Sequence, residues 1–265
     1  MKRIDLIGSP VAHVLSPGVL NPMLQAAGQD VQVVATEVNA GELAEYVRAT
    51  RRGGEVVGLI VTTPLKQQIL AHLDETTDLV RVVGASNCVR FDDNHWIGAN
   101  CDGLGFIEGL AAIAGKASGQ RVLLVGCGGA GSAIAASFVM TAKIDLALYD
   151  LEATKAARLA ARLAAASAAG ARIRPAEPVG EFDIVINASP VGMHPNDALP
   201  LPQETVASAR VVADIVAPDD TQLKRLARSL GKPLVTGEAM VVGQAALLHR
   251  FLLSRAASEF EVVAG

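Results

Sequence analysis

The sequence predicts an α/β protein of two domains, and three observations carry that prediction. Short apolar runs suited to buried strands alternate with longer helix-like stretches along the whole chain, a pattern that builds mainly parallel sheets covered by helices. One such set is complete near Gly103, and the linker Gly115 to Gly119 separates it from a second set that starts at Arg121. That second set opens on a glycine-rich turn between a strand-like run and a run of small residues. The chain of 265 residues is long enough to bury two cores. The expected division is 1–103 plus 239–265 for one domain and 104–238 for the other.

In the first set, Arg3 to Ile7 reads as a strand ended by Gly8-Ser9-Pro10. Ser16 suits an N-cap and Pro17 a first helical turn, so a helix is expected from Ser16 to Ala27. Val31 to Glu37 alternates like a strand, and Ala40 to Arg51 has amphipathic helical spacing. Gly58 to Thr62 suits a buried strand stopped by Pro64, and Lys66 to Leu73 begins another helix. Gly84 to Val89 leads into a hairpin that turns at Asp93-Asn94 before Trp96 to Ala99. A helix from Leu104 to Ala114 follows.

In the second set, strands are expected at Val122 to Val125, Ile144 to Tyr149, Arg172 to Arg174, Asp183 to Asn187, Val211 to Val216 and Pro233 to Thr236. The small residues from Ser132 to Ala136 suit a tightly packed helix, and the Ala-rich stretch Thr154 to Ala169 is a strong helix former. Gln222 to Ser229 is a further helix. After a turn at Gly237, a last helix, Ala239 to Ser254, is expected to return and brace the first domain.

Composition excludes several classes. A net charge of −4 without a Lys/Arg-dense stripe argues against nucleic acid as partner. No apolar run approaches the roughly 20 residues of a membrane span, and the opening MKRIDLIGSP reads as no signal peptide. Cys88, Cys101 and Cys127 lack CxxC spacing, and the histidines lack ligand spacing. No metal site is expected, and the chain fits a reducing cytoplasm.

The strongest chemical signal is Gly126-Cys127-Gly128-Gly129-Ala130-Gly131. Gly126 permits a tight turn, Gly128 lets the backbone approach a pyrophosphate, and Gly131 lets helix and strand pack closely. The pyrophosphate then faces the positive end of the helix. Asp150 follows about twenty residues on, where a carboxylate accepts from the adenosine ribose. It would repel a 2′-phosphate, and Leu151 offers no cation, so NAD is favoured and NADP is less suited; Lys155 reads as a solvated helix position. In the first domain, Lys66 follows a buried strand and a proline turn, and Asp102 sits between Asn100 and Gly103 before a helix. Together a lysine acid/base and an orienting aspartate serve alcohol oxidation by hydride transfer, although each has a plain structural reading as well. His13 reads as a structural turn histidine and Cys101 as packing.

These residues carry a resemblance that extends along nearly the whole chain. Gly8, Pro10, His13, Ser16 and Pro17, then Val61, Thr62, Pro64 and Lys66, then Gly84, Ala85 and Asn87, then Asn100, Asp102 and Gly103 match in order the motifs of the shikimate dehydrogenase family. Gly126 to Ala130 match its glycine loop, Asn187 to Met193 resemble the loop bordering the nicotinamide, and Gly237, Met240 and Gln244 resemble its last motif. The resemblance implies a first domain that holds a cyclic polyol acid and a Rossmann-type second domain. It implies that Lys66 and Asp102 form the catalytic pair. Asn87, Asp102 and Gln244 would bond the ring hydroxyls beside Thr62, and Ser16 would bind the carboxylate. The cofactor would meet Gly126, Gly128, Gly129, Ala130, Asp150, Asn187, Met193 and Gly237.

Departures from the family pattern concentrate on the carboxylate. Val14 stands where the family has a second serine, and Asp214-Ile215-Val216-Ala217-Pro218 lacks its tyrosine; Ile60 and Cys101 are further replacements. The expected function is therefore dehydrogenation of shikimate or a close analogue, quinate or an amino-substituted ring included, by a monomer or homodimer linked to aromatic amino acid biosynthesis or a divergent branch of it. The reading from a different class is an NAD-binding sensor that lost turnover, against which Lys66 and Asp102 speak.

Overall fold

The computed structural model of this chain describes residues 2–12, 14–167 and 170–253, so the expectations for His13, Ala169 and Ser254 lie outside the described residues. The chain folds into two compact units. Asp102–Gly243 lies in one, and the described residues through Cys101 together with Gln244 to Leu253 lie in the other.

The first unit runs β1 (Lys2–Gly8), α1 (Ser16–Ala26), β2 (Val31–Glu37), α2 (Leu43–Arg52) and β3 (Val56–Val61), then a short 3-10 helix (Gln68–His72). It continues with β4 (Glu75–Thr76), α3 (Asp78–Val83), β5 (Cys88–Asp92) and β6 (His95–Ala99). The sheet order is β2-β1-β3-β5-β6-β4. β1 lies parallel between β2 and β3, so each connection must cross the sheet, and α1 and α2 supply the crossovers. β5 returns antiparallel to β3 and β6 antiparallel to β5, through a turn in which Asp93 has φ 54, a left-handed conformation that aspartate tolerates. Side chains alternate across the sheet. Ile60 joins a core with Leu6, Leu20 and Leu24, while its neighbours Leu59 and Val61 join another with Ile7, Leu43 and Trp96. Burial on both faces explains why β3 reads as a continuous apolar run; in β1 the buried Asp5 interrupts the run and is satisfied by Arg3 and the Tyr46 hydroxyl.

The second unit contains α4 (Asp102–Ala114), β7 (Arg121–Val125), α5 (Gly129–Thr141), β8 (Asp145–Tyr149), α6 (Ala153–Ala166), β9 (Arg172–Pro175) and β10 (Ile184–Asn187). It goes on through α7 (Gln203–Ser208), β11 (Val211–Asp214), α8 (Gln222–Ser229) and β12 (Leu234–Thr236) into α9 (Gly237–Leu253). Its strands are all parallel, in the order β12-β11-β10-β7-β8-β9. From β7 the chain winds outward to β8 and β9, then comes back to place β10 on the other side of β7. That reversal is the switch point at which open α/β sheets bind ligands, beyond the carboxyl ends of the strands. From Gln244 onward α9 belongs to the first unit, where Ala245, Leu248, Phe251 and Leu252 enter the core with Leu20 and Leu24.

The structure departs from the sequence reading in local ways. Leu15, not Ser16, occupies the N-cap position of α1 and makes no side-chain cap bond; Ser16 is the first helical residue. Lys66 lies in a turn, with the Leu65 N–H donating to Thr62 O at 2.9 Å, and helical structure begins only at Gln68. The elements β4, α3 and α7 leave no mark in the patterning, because two to six residues are too few for a period to show.

Two carboxylates outside the strands receive backbone donors of β7 and β6. Asp183 accepts the Arg121 N–H at 2.8 Å and Asp74 accepts the Trp96 N–H at 2.8 Å; these backbone bonds hold both carboxyls below their ordinary range. A depressed folded-state value contributes stability that is complete above the unfolded value of about 4 and is lost as pH falls through the folded one. Thermal unfolding followed from pH 7 to pH 3 is expected to stay level at first and to drop below about pH 4, with Asp183→Asn flattening the acid limb.

Candidate active site

The site begins where β7 ends. Gly126 has φ 96 and donates its N–H to Tyr149 O at 2.8 Å. A side chain there would meet Ser189 N at 2.5 Å, and one on Gly131 would meet Gly126 O at 1.9 Å. Both clashes are with backbone, so the turn closes only with glycine at the two positions. Gly128 is the N-cap of α5 and Gly129 its first residue; a Cβ on either would meet nothing within 4 Å. The first-turn N–H groups of α5 have no partner within the helix, which makes this end an anion site. Ala130 is half-buried just behind it.

A cavity of about 1040 Å³ extends from this turn in both directions. One wall carries Asp150, Leu151, Glu152 and Lys155, and the other carries Ala188 to Val191. Asp150 Oδ2 accepts the Cys127 N–H at 2.8 Å and Oδ1 accepts the Glu152 N–H at 3.0 Å. Lys155 Nζ lies 3.1 Å from Glu152 Oε2, which stabilises its charge. Burial and the Asp150 carboxylate push the Cys127 thiol up to about 12, so it is a neutral packing group at neutral pH. The residues fit a dinucleotide: glycines without side chains at the open turn, helix N–H groups facing it, and a cavity running to either side.

The other residues singled out from the sequence fall into groups. Val61 donates its N–H to Asn87 O at 2.7 Å, and Ser86 donates to Lys66 O at 2.8 Å. Asn87 Oδ1 accepts the Cys101 N–H at 2.7 Å. Thr62, Lys66, Asn87 and Cys101, distant in sequence, are thus gathered at the carboxyl end of β3. Asn87 and Gln244 are buried, as is Asp102, the first residue of α4. Cys88 Sγ and Cys101 Sγ are 3.6 Å apart in the first-unit interior. Ser16 starts α1 and Gln244 lies on α9, the two helices that share a core. In the second unit, Asn187 closes β10 and Met193 is exposed beside Gly192. Gly237 opens α9 where a Cβ would meet Ile215 O at 2.8 Å. Among the described residues no cluster of three or more His, Cys, Asp or Glu is arranged to hold a metal ion, and no helix is long and apolar enough to cross a membrane.

Residues 6–89 match the model of the shikimate dehydrogenase substrate binding domain. A shikimate dehydrogenase (NADP(+)) of Bacillus cereus is 35% identical over 262 residues, covering 96% of this chain and 94% of its own. The chain belongs to the shikimate dehydrogenase family. It is an oxidoreductase of that family by this likeness, and its two-sheet architecture agrees. The structure of shikimate 5-dehydrogenase from Thermus thermophilus in complex with NADP(H) and shikimate is similar at TM-score 0.82 and 30% identity, over 95% of this chain and 93% of that one. The 5-ketofructose reductase of a Gluconobacter strain is similar at TM-score 0.84 and 29% identity, over 96% and 94%.

These family relatives correct the cofactor expectation. The sequence favours NAD over NADP, yet the Bacillus cereus relative is named for NADP(+) and the Thermus structure holds NADP(H). The physical reason lies in Asp150. In the sequence it is a bare carboxylate facing the ribose, whereas in the fold each of its oxygens receives a backbone N–H, which draws its negative charge into the loop. Lys155, a solvated position by its sequence, lines the same wall of the cavity. Its position in the first turn of α6, which opens at Ala153 just after Asp150 and Leu151, is the signal in the sequence that could have found it.

Proposed function

We propose that this chain catalyses reversible hydride transfer between NADP(H) and a hydroxyl-bearing ring carbon of shikimate or a close analogue. The observation that carries this reading is the grouping of Thr62, Lys66 and Asn87 at the carboxyl end of β3, where an α/β fold presents ligands. When bound, the dinucleotide supplies the hydride acceptor or donor at its nicotinamide ring. The protein holds it by the Gly126 to Ala130 turn, by the α5 N–H groups and, at the 2′-phosphate, by Lys155. Lys66 takes the hydroxyl proton as the carbonyl forms, and returns it in the reverse direction. Asp102 orients the ammonium and, with Asn87 and Gln244, the ring hydroxyls; Ser16 meets the carboxylate. Several fixed polar partners are what a polyhydroxylated ring needs for orientation.

A second substrate reading, a polyol ketone without a carboxylate, is favoured by Val14. This residue packs against the apolar core of the first unit and offers no donor to an anion, and the Gluconobacter relative is named for such a substrate. The test is a panel of shikimate, quinate and neutral keto-sugars against both cofactors, followed at the reduced-nicotinamide absorbance. Turnover of shikimate with NADP is expected, and Lys155→Ala is expected to raise the KM for NADP while leaving that for NAD within about twofold, because only the former carries the charge that Lys155 meets. Dinucleotide binding with no turnover anywhere on the panel would replace the enzyme reading by that of a sensor.

A further inference from the structure

The second unit buries a polar cluster that neither the glycine turn nor the Lys66 group explains. Strands β10 and β11 end in register, Asn187 beside Asp214, and both residues are fully buried. Asn187 Nδ2 donates to Asp214 Oδ1 at 3.0 Å and to Val191 O at 2.9 Å. Its Oδ1 accepts from Ser189 N at 3.1 Å and Ser189 Oγ at 2.7 Å. The loop after β10 is therefore wound around one carboxamide. Asp214 Oδ1 also receives the Val216 N–H at 3.3 Å, and Oδ2 receives the Thr221 hydroxyl. Thr221 Oγ1 in turn caps α8 by accepting the Lys224 N–H at 3.1 Å. The Lys224 ammonium, 2% exposed, donates to Val216 O and Pro218 O at 2.7 Å each. A single carboxylate thus ties together the loops that follow two adjacent strands.

The position of these loops gives the cluster its meaning. The glycine turn follows β7, and Asp150, at the ribose end, follows β8 on one side of it. A dinucleotide that crosses the switch point must then extend to the other side of β7, where β10 lies. There Ala188 to Val191 form the cavity wall. Gly192 has φ 107, and a Cβ on it would lie 3.2 Å from Thr221 Cγ2, so the two loops abut.

We infer that Asp214 is a positioning residue for the nicotinamide half of the dinucleotide: through Asn187 and Thr221 it holds the Ala188–Gly192 loop in the shape against which that half rests, while the glycine turn and the Asp150–Lys155 wall hold the rest of the molecule without it. The inference rests on the dinucleotide reading above. Burial pushes the Asp214 carboxyl up and the Lys224 ammonium down from their ordinary values. Burying charged groups carries a cost that apolar residues in their place would avoid, and here their side-chain bonds go to the end of β10 and to the loop after β11.

The experiment separates the two halves. Binding of NADP+ and of its fragment lacking nicotinamide, 2′-phospho-ADP-ribose, is measured by calorimetry on the wild type, Asp214→Asn, the double variant Asp214→Asn/Lys224→Met, and Thr221→Val and Thr221→Ser. Loss of a bond to the carboxylate is expected to weaken NADP+ about tenfold and the fragment less than twofold. Thr221→Ser, which keeps the hydroxyl, is expected to restore NADP+ binding; in Asp214→Asn and Thr221→Val kcat is expected to fall further than the KM for the cyclic substrate moves. Equal weakening of both ligands, or of neither, in the variants that fold would overturn the inference. Thr221→Val keeps the side-chain shape and decides the matter if Asp214→Asn fails to fold. A wild type that binds NADP+ but turns over no substrate would sink the proposed function and leave the binding ratio to decide this point.

Discussion

Lys66→Ala is expected to lower kcat by about 10²- to 10⁴-fold, the usual contribution of a positioned acid/base, and to leave dinucleotide binding within about twofold. The two effects separate because the local backbone bond at this residue, Ser86 N–H to Lys66 O at 2.8 Å, involves no side-chain atom. The turn that carries Lys66 is held by Leu65 N–H to Thr62 O and by the burial of Leu65 and Ile69. Lys66→Arg sharpens the test. A guanidinium keeps the positive charge but does not release its proton in the accessible pH range. If Lys66 moves a proton, the arginine variant is as slow as the alanine one. If the residue merely supplies charge, arginine recovers most of the rate. Steady-state rates beside calorimetric binding distinguish these outcomes, and an alanine variant with near-normal kcat would remove the proposed mechanism.

The second large effect belongs to the glycine turn, where neighbouring positions are expected to fail differently. In Gly131→Ala the new Cβ would stand 1.9 Å from Gly126 O and 3.2 Å from Leu124 Cδ2. The first clash is with backbone, so α5 must move away from β7. A loss of about 3 kcal/mol of stability, the upper range for overpacking, is expected together with loss of dinucleotide binding. Gly128→Ala is expected to fold normally, since its Cβ would meet nothing within 4 Å and its φ of −76 suits any residue. The methyl group would nevertheless occupy the space a pyrophosphate needs, so binding is expected to fall without a fall in Tm. Chemical denaturation paired with calorimetry reads both quantities. Equal stability of the two variants would contradict the close approach of helix and strand at Gly131.

Much of the fold is legible in the sequence because its signals are local. Val31–Glu37 and Gln222–Ser229 begin and end where patterning puts them, and the glycine loop lies between a strand and a helix as its spacing requires. The pattern also predicts that Lys66 opens a helix, but the turn through Pro64 delays helical structure to Gln68, and only a two-residue shift separates a helical lysine from one on a loop. The cofactor preference is not legible. The charge of Asp150 alone points to NAD, while the backbone N–H groups that engage that charge come from Cys127 and Glu152, and no spacing rule reports that they turn toward it.

By itself the sequence determined the α/β class, the two-sheet alternation and membership of the shikimate dehydrogenase family, since periodicity and motif order survive without knowledge of contacts. Only the tertiary structure decided which polar groups meet. Parallel pairing sets Asn187 against Asp214, a folded turn brings Thr221 and Lys224 to the same cluster, and the end of β3 collects Lys66 and Asn87. The reason is physical. The charge of a buried group, and what it can hold, depend on the donors and the solvent around it, and in a parallel sheet those neighbours come from strands far apart in the chain.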